Sequence, residues 1–377
     1  MISLARKTLI HEWVRFVPVV LAVTFAGLLL IVQAALVLGI FSSAAIYIKA
    51  SSADVWVGYP GSQSFNYGRP LGSDIEMRLR ADEAVSAVEP WRWVDADWHS
   101  ASGEGGAISI YLSGLSVEKG AMAFSERLPD ALRQRLREPG AVVVDSADLS
   151  TLHVAEGGLA WINKRPVRVV GVIKGMRGLG GVNVLSSLET AREIGGSATS
   201  GDTYYLARVK DGVAPGVVRQ RLMQDRAAFS PYEAWTADAF AARSQNYWLL
   251  DTGAGIAVLF MAVIVSLVGA VVTSQSLAGT ISASRREYAA LSALGVGRWP
   301  LTRVVLEQSA WIGGVGLVLA ALISTPLLML AAGQDVPVAM SLPVAAGCGL
   351  LIFAMAMLAS LAAVRTMLRT DPAMLLR

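Results

Sequence analysis

Four long apolar runs interrupt the polar pattern of this 377-residue chain: 17–41, 249–277, 309–332 and 338–364. Each run reaches or exceeds the roughly 20 residues that a helix needs to cross about 30 Å of hydrocarbon. Between the first two runs lies a long segment, 42–248, in which polar and apolar residues mix as they do in soluble domains. The pattern therefore predicts an α-helical membrane protein with four transmembrane helices and a large mixed α+β domain inserted between helices 1 and 2.

Within the segment 42–248, local patterns predict a series of short elements. Alternation and β-branched residues predict strands at 54–57, 85–98, 108–113, 141–144, 166–173 and 203–209. Helical signals predict helices at 73–80, 129–137 and 214–226, the first with Ser73 and Glu76 as a capping box. The first transmembrane helix is expected to project beyond the membrane, because residues 47–53 remain compatible with a helix.

The distribution of Lys and Arg orients the chain. Basic residues precede the first run, fill the connection between the second and third runs and recur in the tail, whereas the connection between the third and fourth runs has none. Because positively charged loops stay in the cytoplasm, the amphipathic lead-in 1–16, the hairpin 278–308 and the tail 365–377 are predicted to be cytoplasmic. The domain 42–248 is then predicted to be extracytoplasmic.

Composition agrees with this class of protein. Apolar residues make up 54% of the chain and charged residues only 16%, whereas soluble proteins carry about 25% charged residues. The net charge of +3 arises in the cytoplasmic segments, since basic and acidic residues nearly balance in 42–248. It therefore indicates topology and not a nucleic-acid partner. The single cysteine, Cys348, lies in the fourth run, so the large domain has no disulfide.

Motifs for catalysis or cofactor binding are missing from the sequence. The glycine-rich run 171–181 has no Gly-Lys-Ser/Thr and no helix start, so it predicts a mobile loop after a strand and not a phosphate-binding loop. His11, His99 and His153 are scattered without metal-ligand or triad spacing. The chain is therefore predicted to be no enzyme and to bind no metal or cofactor itself.

One group of aromatic residues has two interpretations. Trp91, Trp93 and Trp98 follow one another closely, and Trp56, Tyr59 and Tyr67 precede them. The three tryptophans are candidate contacts for a substrate or an adaptor protein. Aromatic residues at strand spacing are more often part of a core, which is the favoured interpretation.

Glycines in and beside the apolar runs also have two interpretations. Gly27, Gly253 and Gly255 lie in the first two runs, which flank the large domain. Small residues allow close approach of helices in a membrane. The approaching helix belongs either to the same chain or to a second copy, and Gly27, Gly253 and Gly255 are candidate dimer contacts.

The most distinctive polar stretch is the hairpin between the second and third runs. Arg285, Arg286 and Glu287 open a helix-prone segment, and Gly295 ends it by favouring left-handed backbone. A second short helix then leads into the third run. A basic helical hairpin between two spans predicts a docking surface for a cytoplasmic partner.

The hairpin and the tail together resemble one family. The pattern is Arg286-Glu287, Ala290-Leu291 and Ala293-Leu294-Gly295, then Glu307-Gln308-Ser309 at the third run and Asp371-Pro372-Ala373…Leu376-Arg377 in the tail. It is similar to the FtsX/MacB-type (type VII) ABC transporter permeases, whose order of one span, a large external domain and three spans agrees with this chain. The family usually has Glu-Ser where this chain has Glu307-Gln308-Ser309. Chain length and the lack of a fused ATPase make it most similar to the DevC-like exporter permeases.

The resemblance implies a homodimer of permeases in the lipid bilayer of the bacterial inner membrane, with the domain 42–248 in the periplasm. The homodimer would be bound to two cytoplasmic ABC ATPase subunits that hold the ATP and Mg²⁺. The residues expected to couple ATPase closure to the spans are Arg285, Arg286, Glu287, Ala290, Leu294 and Gly295. The implied function is efflux of an amphiphilic or lipid-like substrate by mechanical transmission, with a periplasmic adaptor and an outer-membrane channel as further partners. The alternative is an FtsX-like signal transmitter that activates an external partner without transport.

Overall fold

The computed structural model describes residues 11–103, 105–196, 201–224, 228–283, 298–334 and 336–368. The chain forms two compact units. The helical unit comprises Met1–Gly39 and Ile256–Arg377, and the mixed unit is the continuous segment Ile40–Gly255. In sequence, the mixed unit therefore follows the first long helix and precedes the others.

The helices, in chain order, are α1 (Trp13–Ser42), α2 (Ile46–Lys49), α3 (Asp74–Arg80), α4 (Asp130–Arg135), α5 (Leu149–Leu152), α6 (Leu188–Gly195), α7 (Pro215–Gln224), α8 (Ala237–Asn246), α9 (Ala254–Ala283), α10 (Arg298–Gly333) and α11 (Leu342–Leu368). The strands are β1 (Val55–Gly58), β2 (Val85–Ser100), β3 (Ile108–Leu115), β4 (Ala141–Asp145), β5 (Leu159–Ile162), β6 (Arg165–Ile173), β7 (Val182–Ser187), β8 (Tyr204–Val209) and β9 (Glu233–Thr236). A 3-10 turn, Ser43–Ala45, joins α1 to α2, and a π-helix, Tyr247–Asp251, follows α8.

Apolar helices form at all four predicted runs. In the part of the chain that the structure describes, three are long and apolar enough to cross a membrane: Trp13–Lys49, which comprises α1 and α2, Ala254–Ser276 in α9 and Thr302–Gly333 in α10. A shorter apolar helix, Leu342–Leu358, lies within α11. Helices of such length and composition identify a membrane protein, and the fourth span stays a prediction.

Small residues let the helices of this unit approach closely. A methyl group on Gly27 of α1 would come within 2.9 Å of Cβ of Ala320 in α10 and 3.3 Å of Cδ1 of Ile352 in α11. A methyl group on Gly269 of α9 would come within 2.8 Å of Cβ of Ala26 in α1. At Gly27 the close neighbours are therefore helices of the same chain.

Six strands of the mixed unit close into a barrel. Neighbouring strands pair in the order β2-β3-β7-β4-β6-β5, and β5 pairs with β2 to complete the ring. The pairs β3–β7 and β4–β6 are parallel and the others antiparallel. Because alternate residues of barrel strands share a face, Trp98, Leu112, Val144 and Val184 belong to one apolar core.

A second, antiparallel sheet has the strand order β2-β8-β1-β9. The long strand β2 belongs to both sheets, since its residues 85–91 pair with β8 and its residues 92–98 pair with β3. Helices α3 and α7 bury Leu79 and Leu222 in the core of this second sheet. Strand β2 therefore joins the barrel and the second sheet through one continuous backbone.

The mixed α+β fold predicted for this segment is confirmed, and each predicted strand and helix forms with its ends shifted by at most a few residues. The sequence analysis missed β5, β7, β9, α5, α6 and α8. The prediction of a capping box at α3 is wrong, because the Ser73 side chain makes no capping hydrogen bond. Asp74 instead accepts a hydrogen bond of 2.7 Å from the backbone N of Ser230.

Candidate functional site

The centre of the candidate site is the end of the first apolar helix. Its α1 part ends at Ser42, and after the 3-10 turn α2 continues to Lys49, somewhat short of the projection predicted through residue 53. Tyr47 and Ile48 of α2 are buried in the core of the mixed unit. Both α2 and the 3-10 turn pack against α8, which leads through the π-helix to α9. The first and last parts of the mixed unit therefore pack together.

Tyr47 lies among aromatic rings. Its ring centroid is 4.8 Å from that of Phe65, 5.5 Å from Trp93, 6.1 Å from Phe124 and 6.4 Å from Trp91. Aromatic pairs of this kind contribute about 0.5–1.5 kcal/mol each beyond the burial of their area. Since close-packed interiors transmit strain, a displacement of α2 would be passed to strand β2, which carries Trp91 and Trp93.

The loop between β3 and α4 fastens the chain just after α2. The backbone N of Ser52 donates to O of Met122 (2.9 Å), and the backbone N of Phe124 donates to Oγ of Ser51 (3.2 Å). The carboxylate of Glu89 on β2 accepts from the backbone N of Met122 at 2.8 and 2.9 Å. Phe124 has a φ of +50°, which L residues adopt rarely, so these contacts hold the loop in an uncommon conformation.

The glycine-rich run 171–181 contacts the hydroxyl of Tyr47. It forms a loop after β6, as predicted, and Asp145 anchors this loop by accepting hydrogen bonds from the backbone N of Met176 (2.6 Å) and of Arg177 (3.1 Å). A methyl group on Gly178 would lie 2.0 Å from Oη of Tyr47. Only glycine permits such an approach of the backbone, and the loop therefore closes over the tip of Tyr47.

A buried carboxylate lies beside the same loop. Asp148 is fully buried, and its Oδ1 lies 3.4 Å from Nε of Arg177. No described residue donates a hydrogen bond to either carboxylate oxygen of Asp148. Burial raises the pKa of Asp148 to about 6; the charge of Arg177 opposes this shift and that of Asp145 adds to it. The ionised form of Asp148 thus depends on Arg177, a residue of the glycine-rich loop.

A second loop, between β1 and α3, forms hydrogen bonds with the segment that leads to α9. The backbone N of Phe65 donates to Oγ of Ser244 (3.1 Å), and Nε1 of Trp248 donates to Oγ of Ser64 (3.0 Å). The Tyr67 ring centroid lies 6.3 Å from that of Trp248. Single-turn π-helices are frequent at functional sites, and this one carries Trp248, which the loop contacts.

The backbone bends where the π-helix meets α9. Gly253 has a φ of +75°, a left-handed conformation that favours glycine. A methyl group on Gly255 would lie 1.7 Å from O of Leu249, so Gly255 is required by the local backbone. Both glycines shape the connection between α8 and α9.

The helical unit carries the decisive similarity to known proteins. Residues 259–372 match the family described as FtsX-like permease, C-terminal. The C-terminal region of the chain is therefore FtsX-like. This match confirms the resemblance that the hairpin and tail residues indicated.

Two solved structures are similar to about half of this chain. The periplasmic region of MacB from Actinobacillus actinomycetemcomitans is 16% identical, with a TM-score of 0.36, and the match covers 53% of this chain and 96% of that one. The extracellular domain of the noncanonical ABC-type transporter YknZ from Gram-positive bacteria is 14% identical, with a TM-score of 0.35, covering 49% and 100%. No curated protein sequence matches the chain.

The fold does not bring the three candidate tryptophans into one cluster. Trp91 and Trp98 are fully buried, and Trp93 is half-buried. Trp91 and Trp93 pack around Tyr47, whereas Trp98 belongs to the barrel core and donates through Nε1 to O of Leu152 (3.0 Å). This burial agrees with the core interpretation and gives Trp91 and Trp98 no surface for a substrate or an adaptor.

The remaining candidate residues of the chain fall into two sets. The predicted coupling residues Arg285, Arg286, Glu287, Ala290, Leu294 and Gly295 lie outside the described residues. Gly27 packs within its own chain, and Gly253 and Gly255 are explained by local backbone geometry. The structure therefore gives each of these three glycines a role that needs no second copy.

Sequence reasoning missed the residues that hold the helical extension α2 in the mixed unit. Tyr47, Phe65 and Gly178 are separated by long stretches of sequence, and only the fold brings them together. One feature of the sequence could have indicated these contacts, namely the helix-compatible residues that follow the first apolar run. A helix that continues beyond such a run must place its next residues in the adjoining domain. The aromatic residue in that extension, Tyr47, was the position to select.

Proposed function

We propose that this chain is the permease subunit of an ABC-type export complex and transmits the motion of a cytoplasmic ATPase to a periplasmic domain, driving efflux of an amphiphilic or lipid-like substrate. One observation carries the proposal beyond the family. The first apolar helix, in a chain with an FtsX-like C-terminal region, continues into the aromatic core of the mixed unit through Tyr47. A helix clamped in this way passes axial or tilting motion to the domain.

Motion would be transmitted through contacts at both ends of the mixed unit. After α1, Tyr47 is enclosed by aromatic rings and by the backbone at Gly178. Before α9, Ser64 and Phe65 form hydrogen bonds with Trp248 and Ser244. Because both ends are held by side chains and loops of the same unit, relative motion of α1 and α9 would change the shape of that unit.

The ATPase is expected to dock on the hairpin 278–308, with Arg285, Arg286, Glu287, Ala290, Leu294 and Gly295 as its contacts. This assignment rests on the family and on the helical pattern of the hairpin. A four-span topology, with α11 as the last span and both termini in the cytoplasm, follows from the Lys and Arg distribution. A periplasmic adaptor and an outer-membrane channel would complete an export path.

The orientation is tested by labelling cysteines from outside the cell. With Cys348 replaced by Ala, single cysteines at Ser102 and at Ser282 are exposed in turn to an impermeant thiol reagent on intact cells. Ser102 lies at the turn after β2, and Ser282 lies at the end of α9. The proposal expects labelling at Ser102 and none at Ser282. The reverse pattern would exclude a periplasmic mixed unit.

Coupling is tested in a complex of the chain with the cytoplasmic ATPase that is its expected partner. Ala290→Pro should break the hairpin helix, at a local cost of about 3 kcal/mol or more, and abolish ATPase association while membrane insertion persists. Normal stimulation of the ATPase by this variant would refute the coupling role. Coupled hydrolysis without movement of any amphiphile, together with activation of an external protein, would favour the signal transmitter instead.

A homodimer is expected because ABC ATPases close as pairs around two nucleotides and this chain supplies one hairpin. Since Gly27, Gly253 and Gly255 have roles within the chain, contact between copies is expected on the exposed apolar surface of α9, at residues such as Leu259 and Val263. The mass of the detergent-solubilised complex decides this. A complex with one permease that still couples hydrolysis to transport would contradict the dimer.

A further inference from the structure

A polar cleft opens beside the π-helix of the mixed unit. It has a volume of about 260 Å³ and is lined by the turn at residues 60–63 together with Tyr59, Tyr67, Arg69 and Tyr247. The Tyr67 and Tyr247 ring centroids lie 5.4 Å apart in edge-to-face geometry. A hydrogen bond with Tyr67 is the main reason why the pKa of Tyr247 is raised, so the phenol of Tyr247 stays a neutral hydrogen-bonding group.

Arg69 supplies a positive charge at this cleft. Its guanidinium lies over the ring of Tyr59, 5.5 Å from the centroid, and no carboxylate of the described residues forms an ion pair with it. The nearby Glu233 is already engaged, since it pairs with Arg243 at 3.0 Å and accepts from the backbone N of Gly61 at 2.9 Å. The cleft thus combines an uncompensated guanidinium with phenolic hydroxyls, which are the groups that bind a phosphate.

The chain places this cleft close to a membrane-spanning helix. Tyr247 is the first residue of the π-helix Tyr247–Asp251, and only Thr252 and Gly253 separate that element from α9, whose residues Ala254–Ser276 are long and apolar enough to span. Tyr and Trp gather at the level of lipid headgroups, and Arg side chains reach to the same layer. Leu250, within the π-helix, is largely exposed, as expected for a residue that meets lipid.

We propose that this cleft binds the phosphate headgroup of a membrane phospholipid, with Arg69 pairing with the phosphate and the hydroxyls of Tyr67 and Tyr247 donating to its oxygens. The inference rests on the proposed function in one respect, that α9 spans a bilayer. A bound headgroup would contact Tyr247 and the loop between β1 and α3, which forms a hydrogen bond with Trp248. Lipid occupancy therefore acts on the connection between the mixed unit and α9.

The test measures lipid binding to the full chain in detergent by native mass spectrometry. Delipidated protein is incubated with phosphatidylglycerol, with diacylglycerol of the same acyl chains, or with phosphatidylglycerol and an equal concentration of inorganic phosphate. Wild type should retain phosphatidylglycerol in preference to diacylglycerol. Arg69→Gln should weaken that retention about tenfold, the effect of losing one charge-assisted hydrogen bond. Tyr67→Phe should weaken it less.

The matched control is Arg165→Gln. Arg165 is an exposed arginine on β6 that pairs with Glu193 at 3.2 Å and does not line the cleft. This variant should bind phosphatidylglycerol as wild type does. Equal retention of diacylglycerol, unchanged retention in Arg69→Gln, or displacement of the lipid by inorganic phosphate at equal concentration would each overturn the proposal. The assay contains no ATPase, so its result is separate from the labelling and coupling tests of the proposed function.

Discussion

Replacing Tyr47 by Ala should destabilise the mixed unit strongly. The side chain is fully buried and contacts four aromatic rings, the nearest being Phe65 at 4.8 Å. A buried aromatic side chain removes about 150–250 Å² from water, which corresponds to about 4–6 kcal/mol at roughly 25 cal/mol per Å². Measured replacements of buried aromatic residues by Ala cost about 3–5 kcal/mol. We therefore expect Tyr47→Ala to lower the free energy of unfolding by about 3–5 kcal/mol.

The assay is denaturant unfolding of the full-length protein in detergent, followed by tryptophan fluorescence. Trp91 and Trp93 lie within 6.4 Å of the Tyr47 ring, measured between centroids, so their emission reports the opening of this cluster. Tyr47→Phe is the matched control, because it keeps the ring and removes only the hydroxyl that touches the loop at Gly178. That variant should lose about 1 kcal/mol or less.

Coupling to the ATPase should depend on the aromatic ring of Tyr47 and not on its hydroxyl. Tyr47→Phe should keep ATP hydrolysis responsive to the external domain, whereas Tyr47→Ala should uncouple the two while the ATPase still binds. A Tyr47→Ala protein with nearly unchanged stability would refute the packing argument. Equal damage by Tyr47→Phe and Tyr47→Ala would show that the hydroxyl, and not the ring cluster, holds the helix.

Two further predictions concern the loop that closes over Tyr47. Gly178→Ala places a methyl group 2.0 Å from Oη of Tyr47 and should lower the melting temperature and weaken coupling. The control Gly216→Ala on α7, where nothing lies within 4 Å, should change neither property. Equal effects of the two variants would refute the close approach. Asp148→Asn should stabilise the protein above about pH 6, because burial raises the pKa of Asp148 to about 6 above its unfolded value of about 4, so wild type loses stability as pH rises between these values. The gain, about 1–3 kcal/mol at pH 8 and absent near pH 4, is measured by denaturation at both pH values, and a difference independent of pH would contradict the assignment.

The sequence analysis succeeded where local pattern decides structure. Runs of apolar residues long enough to span a bilayer predicted the positions of the long helices, because burial of backbone in lipid requires them. Alternation predicted β2, β3 and β6, since one face of each strand is buried. It missed β5 and β9, strands of only a few residues, where too little pattern exists to exceed noise.

The candidate tryptophans illustrate a limit of spacing arguments. Trp91 and Trp98 lie on the same long strand, yet Trp91 packs with Tyr47 and Trp98 with the barrel core. The reason is that β2 passes from one sheet to the other along its length. Spacing along a strand indicates which face a residue shares, but not which neighbouring sheet covers that face.

By itself the sequence determined the class of this protein: its apolar helices, its mixed α+β segment and its FtsX-like C-terminal region. These properties depend on composition, local periodicity and short motifs. Only the tertiary structure decided which residues join the first helix to the mixed unit. The contact between Tyr47 and Gly178 and the cleft between Arg69 and Tyr247 arise from the closure of the barrel and the packing of α2 against α8. Such contacts between residues far apart in sequence depend on the path of the whole chain, and no local pattern encodes them.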